Sequence, residues 1–276
     1  MTTNNTPDPT IPDTIVLIHG LWLTPRSWEH WIDRYERLGH RVIAPTWPGM
    51  DSSIEDLRRD PSTMAGVDIT EITDHYEAII RVLLDTSPII IGHSFGGLIA
   101  QLLLDRGLGS AGVAIHPAPV KGVLRLPISS LRSAFPVLRN PLNRNRAVAL
   151  TPKQFHYGFT NTMSEEESQA VYERYHVPGP GRVLFQAATA NLNPRAATKV
   201  DFKSESRAPL LVVGGGQDHT VPASVAKEAA TRQSKAKSAT EYKEYPGRSH
   251  YTLGQDGWEE VADYALEWAT KHTTAL

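Results

Sequence analysis

The chain has 276 residues, enough to bury one large core with room for an insertion and no need of a second independent domain. With 40% hydrophobic and 21% charged residues and a formal net charge of -2, it has neither the basic excess of a nucleic-acid binder nor the composition of a disordered chain. It contains no cysteine, which excludes disulfides, thiolate nucleophiles, zinc-thiolate sites and iron–sulfur clusters.

Met1 to Asp13 is polar and proline-containing, with no positive n-region and no apolar h-region, and is expected to be a flexible tail (residues 1–13) of a cytoplasmic protein. Thr14-Ile15-Val16-Leu17-Ile18 reads as a strand buried on both faces of a parallel sheet, ending in His19-Gly20-Leu21-Trp22. The apolar stretch as far as Leu23 falls well short of the ~20 residues a membrane span needs, so no membrane association is expected. A helix follows, with Ser27 as its cap and Trp28, Trp31, Ile32 and Tyr35 at helical spacing as core. Arg41 to Pro45 is a second short strand, leading into the loop Trp47-Pro48-Gly49-Met50-Asp51-Ser52. Asp68 and Glu71 form a capping-box pattern ahead of Ile69, Ile72, Tyr76, Ile79, Ile80 and Leu83, which predicts an amphipathic helix ending near Asp85.

The stretch Pro88-Ile89-Ile90-Ile91-Gly92-His93-Ser94-Phe95-Gly96-Gly97 then runs a β-branched strand into a glycine-flanked turn and a helix reaching about Arg106. Gly92-x-Ser94-x-Gly96 is the pattern of a nucleophile elbow, in which a strained turn exposes the serine hydroxyl and glycines avoid collisions with crossing backbone. The stretch resembles the α/β-hydrolase fold family, in particular the cofactor-free bacterial serine hydrolases that carry Gly-His-Ser-x-Gly-Gly at this place. Ala111 to Ile115 is the next strand, and the alternation of strands with helices predicts a doubly wound, mainly parallel α/β sheet.

From Pro117 to Arg207 this rhythm breaks, with no convincing buried strand. Thr151-Pro152-Lys153-Gln154 opens one helix bearing Phe155 and Phe159, and Ser164-Glu165-Glu166-Glu167 opens another bearing Val171 and Tyr175. The position resembles the one at which α/β-hydrolases insert a helical cap over the site, so residues 117–207 are expected to be that cap and residues 14–116 and 208–276 the core. The parallel pattern resumes with Pro209 to Val213, then Gly214-Gly215-Gly216-Gln217-Asp218, a helix from Pro222 to about Ser234, a last strand Thr240 to Tyr245, the loop to His250, and a final helix capped by Asp256 and Glu259.

A serine hydroxyl needs an adjacent base, and the base needs a carboxylate to fix its tautomer. Asp218 and His250 follow two successive late strands, and Ser94, Asp218, His250 stand in the chain order the family resemblance implies. The bland alternative for Asp218 is a cap on the helix at Pro222. An oxyanion would be held by backbone N–H groups, of which Phe95 is the first; the resemblance assigns the second to Leu21, with Trp22 as the alternative. His19, His93 and His116 are expected to pack or hydrogen-bond near the site without transferring protons, and His219 to be a loop residue. Trp22, His116, Phe155, Tyr157 and Phe159 are the expected substrate contacts, although the face shared by Phe155 and Phe159 can equally be packing between cap and core. There is no Gly-x-Gly-x-x-Gly, no phosphate loop and no His-Glu-x-x-His, so no cofactor and no metal are expected. The resemblance thus implies a serine hydrolase cleaving an ester or lactone of a small to medium, largely apolar molecule, acting as a monomer or homodimer. Because similar scaffolds host amidases, thioesterases, C–C hydrolases and cofactor-free haloperoxidases, those chemistries and a slow-turnover ligand sensor stay open.

Overall fold

The computed structural model describes residues 14–83 and 87–273. The expected tail at 1–13 and the helix end near Asp85 lie outside them. In chain order the elements are β1 (Thr14–Ile18), α1 (Glu29–Arg37), β2 (Arg41–Ile43), α2 (Ile54–Arg59), α3 (Ile69–Leu83), β3 (Ile89–His93), α4 (Phe95–Asp105), β4 (Ala111–Ile115), α5 (Ile128–Leu138), β5 (Ala147–Val148), α6 (Pro152–Gly158), α7 (Glu165–Tyr175), β6 (Gly179–Pro180), α8 (Gly181–Ala188), β7 (Leu210–Gly215), α9 (Ala223–Gln233), β8 (Thr240–Tyr245) and α10 (Trp258–His272).

Six strands form one parallel sheet in the order β2-β1-β3-β4-β7-β8. The chain winds outward from β1 to β2, then returns to build the other half from β3, so the carboxyl ends of β1 and β3 flank the point where the winding reverses. Open α/β sheets place their sites at such a point.

The continuous apolar runs of the strands follow from burial on both faces. Ile15, Leu17, Ile89 and Ile91 pack under α1 and α10, against Trp28, Trp31, Val261 and Trp268. Val16, Ile18 and Ile90 face the other way, towards Ile72 and Tyr76 of α3 and Leu98 of α4. The aromatics of the α1 region are core, as expected: Trp31 Nε1 donates to Leu253 O at 2.9 Å and Tyr35 Oη to Ala262 O at 2.7 Å, each tying α1 to the C-terminal part of the chain.

Thr24, not Ser27, caps the turn before α1, and the Ser27 hydroxyl instead donates to Thr24 O. Gly257, in the left-handed region at φ 74°, begins α10 without any side-chain cap, so Asp256 and Glu259 do not serve there. Between β4 and β7 the chain forms α5 to α8 together with a two-stranded antiparallel pair, β5 with β6, too short to leave a periodic signature. The Thr151 and Ser164 capping boxes are both formed.

Candidate active site

Ser94 joins β3 to α4 at φ 55° and ψ -119°, a conformation that costs a non-glycine residue of order 1–3 kcal/mol and persists only where surroundings enforce it. The surroundings are tight. A Cβ at Gly92 would sit 2.0 Å from the Gly96 carbonyl oxygen, and one at Gly96 would sit 2.0 Å from that of Ile18. Ser94 N–H donates to Ile115 O and Ser94 O accepts from Ala118 N–H, both at 2.9 Å, which fastens the turn to the end of β4.

The loop after β8 brings His250 to this serine, with Nε2 3.0 Å from Ser94 Oγ. Its other nitrogen, Nδ1, lies 2.7 Å from Oδ2 of Asp218, at the end of β7. A second histidine reaches the same oxygen: His116 Nδ1 is 2.9 Å away. An ionised carboxylate only accepts, so both Nδ1 atoms carry hydrogen, and the bare nitrogen of His250 is the one facing the serine hydroxyl. Asp218 Oδ1 accepts from the N–H groups of Thr220 and Val221 at 2.7 and 2.8 Å. Asp218 does not cap α9, which starts after Pro222 without a side-chain cap; one of its oxygens faces the histidines while the other closes the turn before that helix.

Burial alone would push the Asp218 carboxyl up, but electrostatic attraction to His250 and the N–H groups that His116 and His250 direct at it outweigh burial and hold the group well below the ordinary carboxylate range. Burial pushes the imidazoles of His116 and His93 down, so both are neutral, and it takes His19 to about 4. His93 Nε2 donates to His250 O at 2.8 Å and steadies the loop that carries His250. His19 stacks on Trp47 with ring centres 4.8 Å apart. His116, His250 and Asp218 have donor types that suit a metal, with ligand atoms within 4.8 Å of one another. Both histidines, however, direct N–H at one carboxylate oxygen, so the set is closed by its own hydrogen bonds.

The loop after β1 forms a turn closed by Leu23 N–H to Gly20 O, with Trp22 in the left-handed region at φ 68°. The N–H groups of Leu21 and Trp22 take no part in that bond. The loop is held from the intervening segment by Val177 N–H to Trp22 O at 2.9 Å and by Trp22 Nε1 to Val148 O at 3.0 Å. Phe95 is the first residue of α4, so its N–H has no acceptor within the helix.

A cleft of about 220 Å³ opens on Ser94 and Phe95. Trp22 lines it. Its remaining wall differs from expectation: α5 contributes Leu131, Ala134 and Leu138, α8 contributes Leu184 and Ala187, and no charged side chain lines it. Phe155, Tyr157, Phe159 and His116 do not line this cleft. Phe155 and Phe159 are buried and stacked on each other at 4.7 Å, and Phe159 sets its edge against His250, ring centres 4.8 Å apart. Phe155 in turn sets its edge against Tyr172 and His176, so the face the two rings share is occupied by packing. Tyr157 lies between Arg132 and His219, and His116 stands behind Asp218. The signal that could have found the wall is the recurrence of Leu131, Ala134 and Leu138 at i, i+3 and i+7, hidden by Pro127 and Pro136 around and within the helix.

The profile described as "Alpha/beta hydrolase family" matches residues 15–264. No curated protein sequence matches the chain. Among solved structures, the chain is similar to an extracellular alpha/beta-hydrolase from a Paenibacillus species described as sharing structural and functional homology with tobacco salicylic acid binding protein 2, at 21% identity and a TM-score of 0.66 over 94% of this chain and 99% of that one. A monoacylglycerol lipase from Paleococcus ferrophilus matches at 21% identity and a TM-score of 0.66, over 95% of this chain and 96% of that one. A thermophilic esterase from Thermogutta terrifontis matches at 18% identity and a TM-score of 0.65, over 95% and 90% respectively. At these identities the likeness is one of fold.

Proposed function

The chain belongs to the alpha/beta hydrolase family, and on that premise we propose that it is a serine hydrolase cleaving carboxylic esters of small to medium, uncharged, apolar molecules. The observation that carries this reading is the unbroken hydrogen-bonded chain from Ser94 through His250 to Asp218, opening on a cleft with no charged lining.

Ser94 Oγ attacks the ester carbonyl carbon while its proton passes to His250 Nε2. The imidazolium so formed is stabilised by Asp218, which also fixes the tautomer. The oxyanion is held by the N–H groups of Phe95 and Leu21, the first at the N-terminus of α4. Collapse breaks the bond to the alkoxy oxygen, and His250 returns the proton to the departing alcohol. Water, deprotonated by His250, then attacks the acyl group on Ser94, and Oγ recovers the proton. Residues 117–207 act as a cap, since α5 and α8 alone supply half of the residues that line the cleft a substrate would meet.

Steady-state turnover of p-nitrophenyl esters, lactones, amides and thioesters tests the assignment. Esters with uncharged apolar acyl groups should be the best substrates, and Asp218→Asn should lower kcat by up to about 10⁴-fold with the fold intact. Amide or thioester preference would reassign the bond cleaved. A single acyl burst with tight retention would point to ligand sensing.

A further inference from the structure

Six of the nine large apolar side chains exposed among the described residues, Leu124, Leu126, Ile128, Leu131, Phe135 and Leu142, fall within residues 124–142. Ile128, Leu131 and Phe135 stand at i, i+3 and i+7 and so form one stripe along α5, with Ile128 84% and Phe135 61% exposed. Beside this stripe, and sharing Leu131 with it, the cleft-lining Ala134 and Leu138 turn inward, and buried Val137 lies on the far side of the helix. A helix apolar on its solvent side as well as its inner side is the mark of a surface that meets something other than water.

Charge indicates what it meets. From Gly107 to Ser164 the chain has no aspartate or glutamate, yet it carries Lys121, Arg125, Arg132, Arg139, Arg144, Arg146 and Lys153, in a protein of net charge -2. The five arginines are exposed and none forms an ion pair among the described residues, whereas seven of the fourteen other arginines do. Arg132 lies over the Tyr157 ring at 3.9 Å. Glu228 of α9, the carboxylate bonded to this stretch, is already engaged by Arg232 and by the N–H groups of Leu124 and Arg125.

We propose that α5 and the loop before it dock the protein on an anionic lipid bilayer surface, with Ile128 and Phe135 entering the headgroup boundary and Arg125, Arg132 and Arg139 facing lipid phosphates. An apolar face flanked by unpaired cations suits that partner. A symmetric second copy would set the arginines against their own counterparts, which is repulsive. No described helix is long and apolar enough to cross a membrane, so the contact lies in the surface plane. Leu126 and Leu131 belong to both the exposed face and the cleft, so the apolar surface continues from the bilayer to Ser94. That last link rests on the proposed ester hydrolysis; the docking itself does not.

The test is cosedimentation of the full chain with vesicles of phosphatidylcholine, with and without phosphatidylglycerol, at low and high salt. Binding should require phosphatidylglycerol and fall with salt. Arg125→Gln with Arg139→Gln should weaken it by about thirtyfold, taking about 1 kcal/mol for each cation. Ile128→Ser with Phe135→Ser should weaken it by at least about tenfold. None of these four side chains lines the cleft, so turnover of a soluble short-chain ester should be unchanged, and Ser94→Ala should bind vesicles as the wild type does. Absence of binding, or binding that both double variants retain, overturns the proposal. A concentration-dependent dimer in sedimentation velocity that Ile128→Ser with Phe135→Ser abolishes, without vesicle binding, assigns the face to a second copy instead. Loss of ester hydrolysis with vesicle binding intact would count against the proposed reaction alone.

Discussion

Replacing His116 with leucine removes one of four N–H donors from Asp218 while keeping a buried side chain of similar size. Asp218 is fully enclosed, with Oδ2 serving His250 at 2.7 Å and His116 at 2.9 Å. Water cannot take the place of the lost donor without entering the core. A charged group that loses such a bond costs about 1–3 kcal/mol, which in a domain of this size is roughly 4–8 °C in Tm at the middle of that range. The chemical consequence is separable from the structural one. With one donor fewer, the carboxylate becomes more basic and stabilises the His250 imidazolium more strongly, so the acid limb of kcat/KM should move to higher pH, by about one unit at most. His116→Gln, which keeps an N–H donor, should restore part of the original limb. The assay is the pH profile of kcat/KM on one soluble ester, beside thermal unfolding of the same proteins. A His116→Leu profile that superimposes on the wild type, or shifts to lower pH, while Tm falls would show that His116 only fills space.

Gly96→Ala should be the most damaging small substitution, because its Cβ would lie 2.0 Å from Ile18 O in the rigid sheet; a loss of about 3 kcal/mol or more is expected in denaturant titration, and a stable, active variant would refute the crossing geometry. Stability should fall as pH drops below the ordinary imidazole value. Burial takes His19 to about 4, and burial with nearby Arg58 takes His176 to about 3, so between 6.5 and those values the unfolded chain binds protons that the fold refuses. For His19 alone this amounts to roughly 3 kcal/mol, lost progressively from about pH 6.5 down to about 4, and a flat Tm across that range would contradict it. Leu131→Ala and Leu138→Ala should change the ratio of kcat/KM between short and bulky esters by about 1–3 kcal/mol. Phe155→Ala and Phe159→Ala should instead depress all esters alike and cost about 3–5 kcal/mol of stability; a selective effect of either ring on bulky esters would return it to the pocket.

What could be read from the sequence is what has a local cause. Ile89 to Ile91 must be apolar because both faces of β3 are covered, and Gly92 and Gly96 must lack side chains because backbone passes within contact distance, so each requirement leaves its own letter. Asp218 and His250 were legible as the residues that follow two late strands. The walls of the cleft were not, because which side of α5 turns inward depends on how the segment between β4 and β7 settles on the sheet. Phe155 and Phe159 show the difficulty: their i, i+4 spacing marks a shared face, and only the fold decides that Phe159 there meets His250 and Trp22. The link from His116 to Asp218 was likewise invisible, since it joins the ends of β4 and β7, which are far apart in sequence and adjacent in the sheet.

As the proposed nucleophile, Ser94 forms the covalent acyl intermediate. Labelling the protein with a fluorophosphonate and mapping the modified peptide by mass spectrometry tests it most directly. One adduct on Ser94, absent from Ser94→Ala together with ester hydrolysis, is the predicted result. An adduct on another residue, or hydrolysis retained in Ser94→Ala, would contradict it.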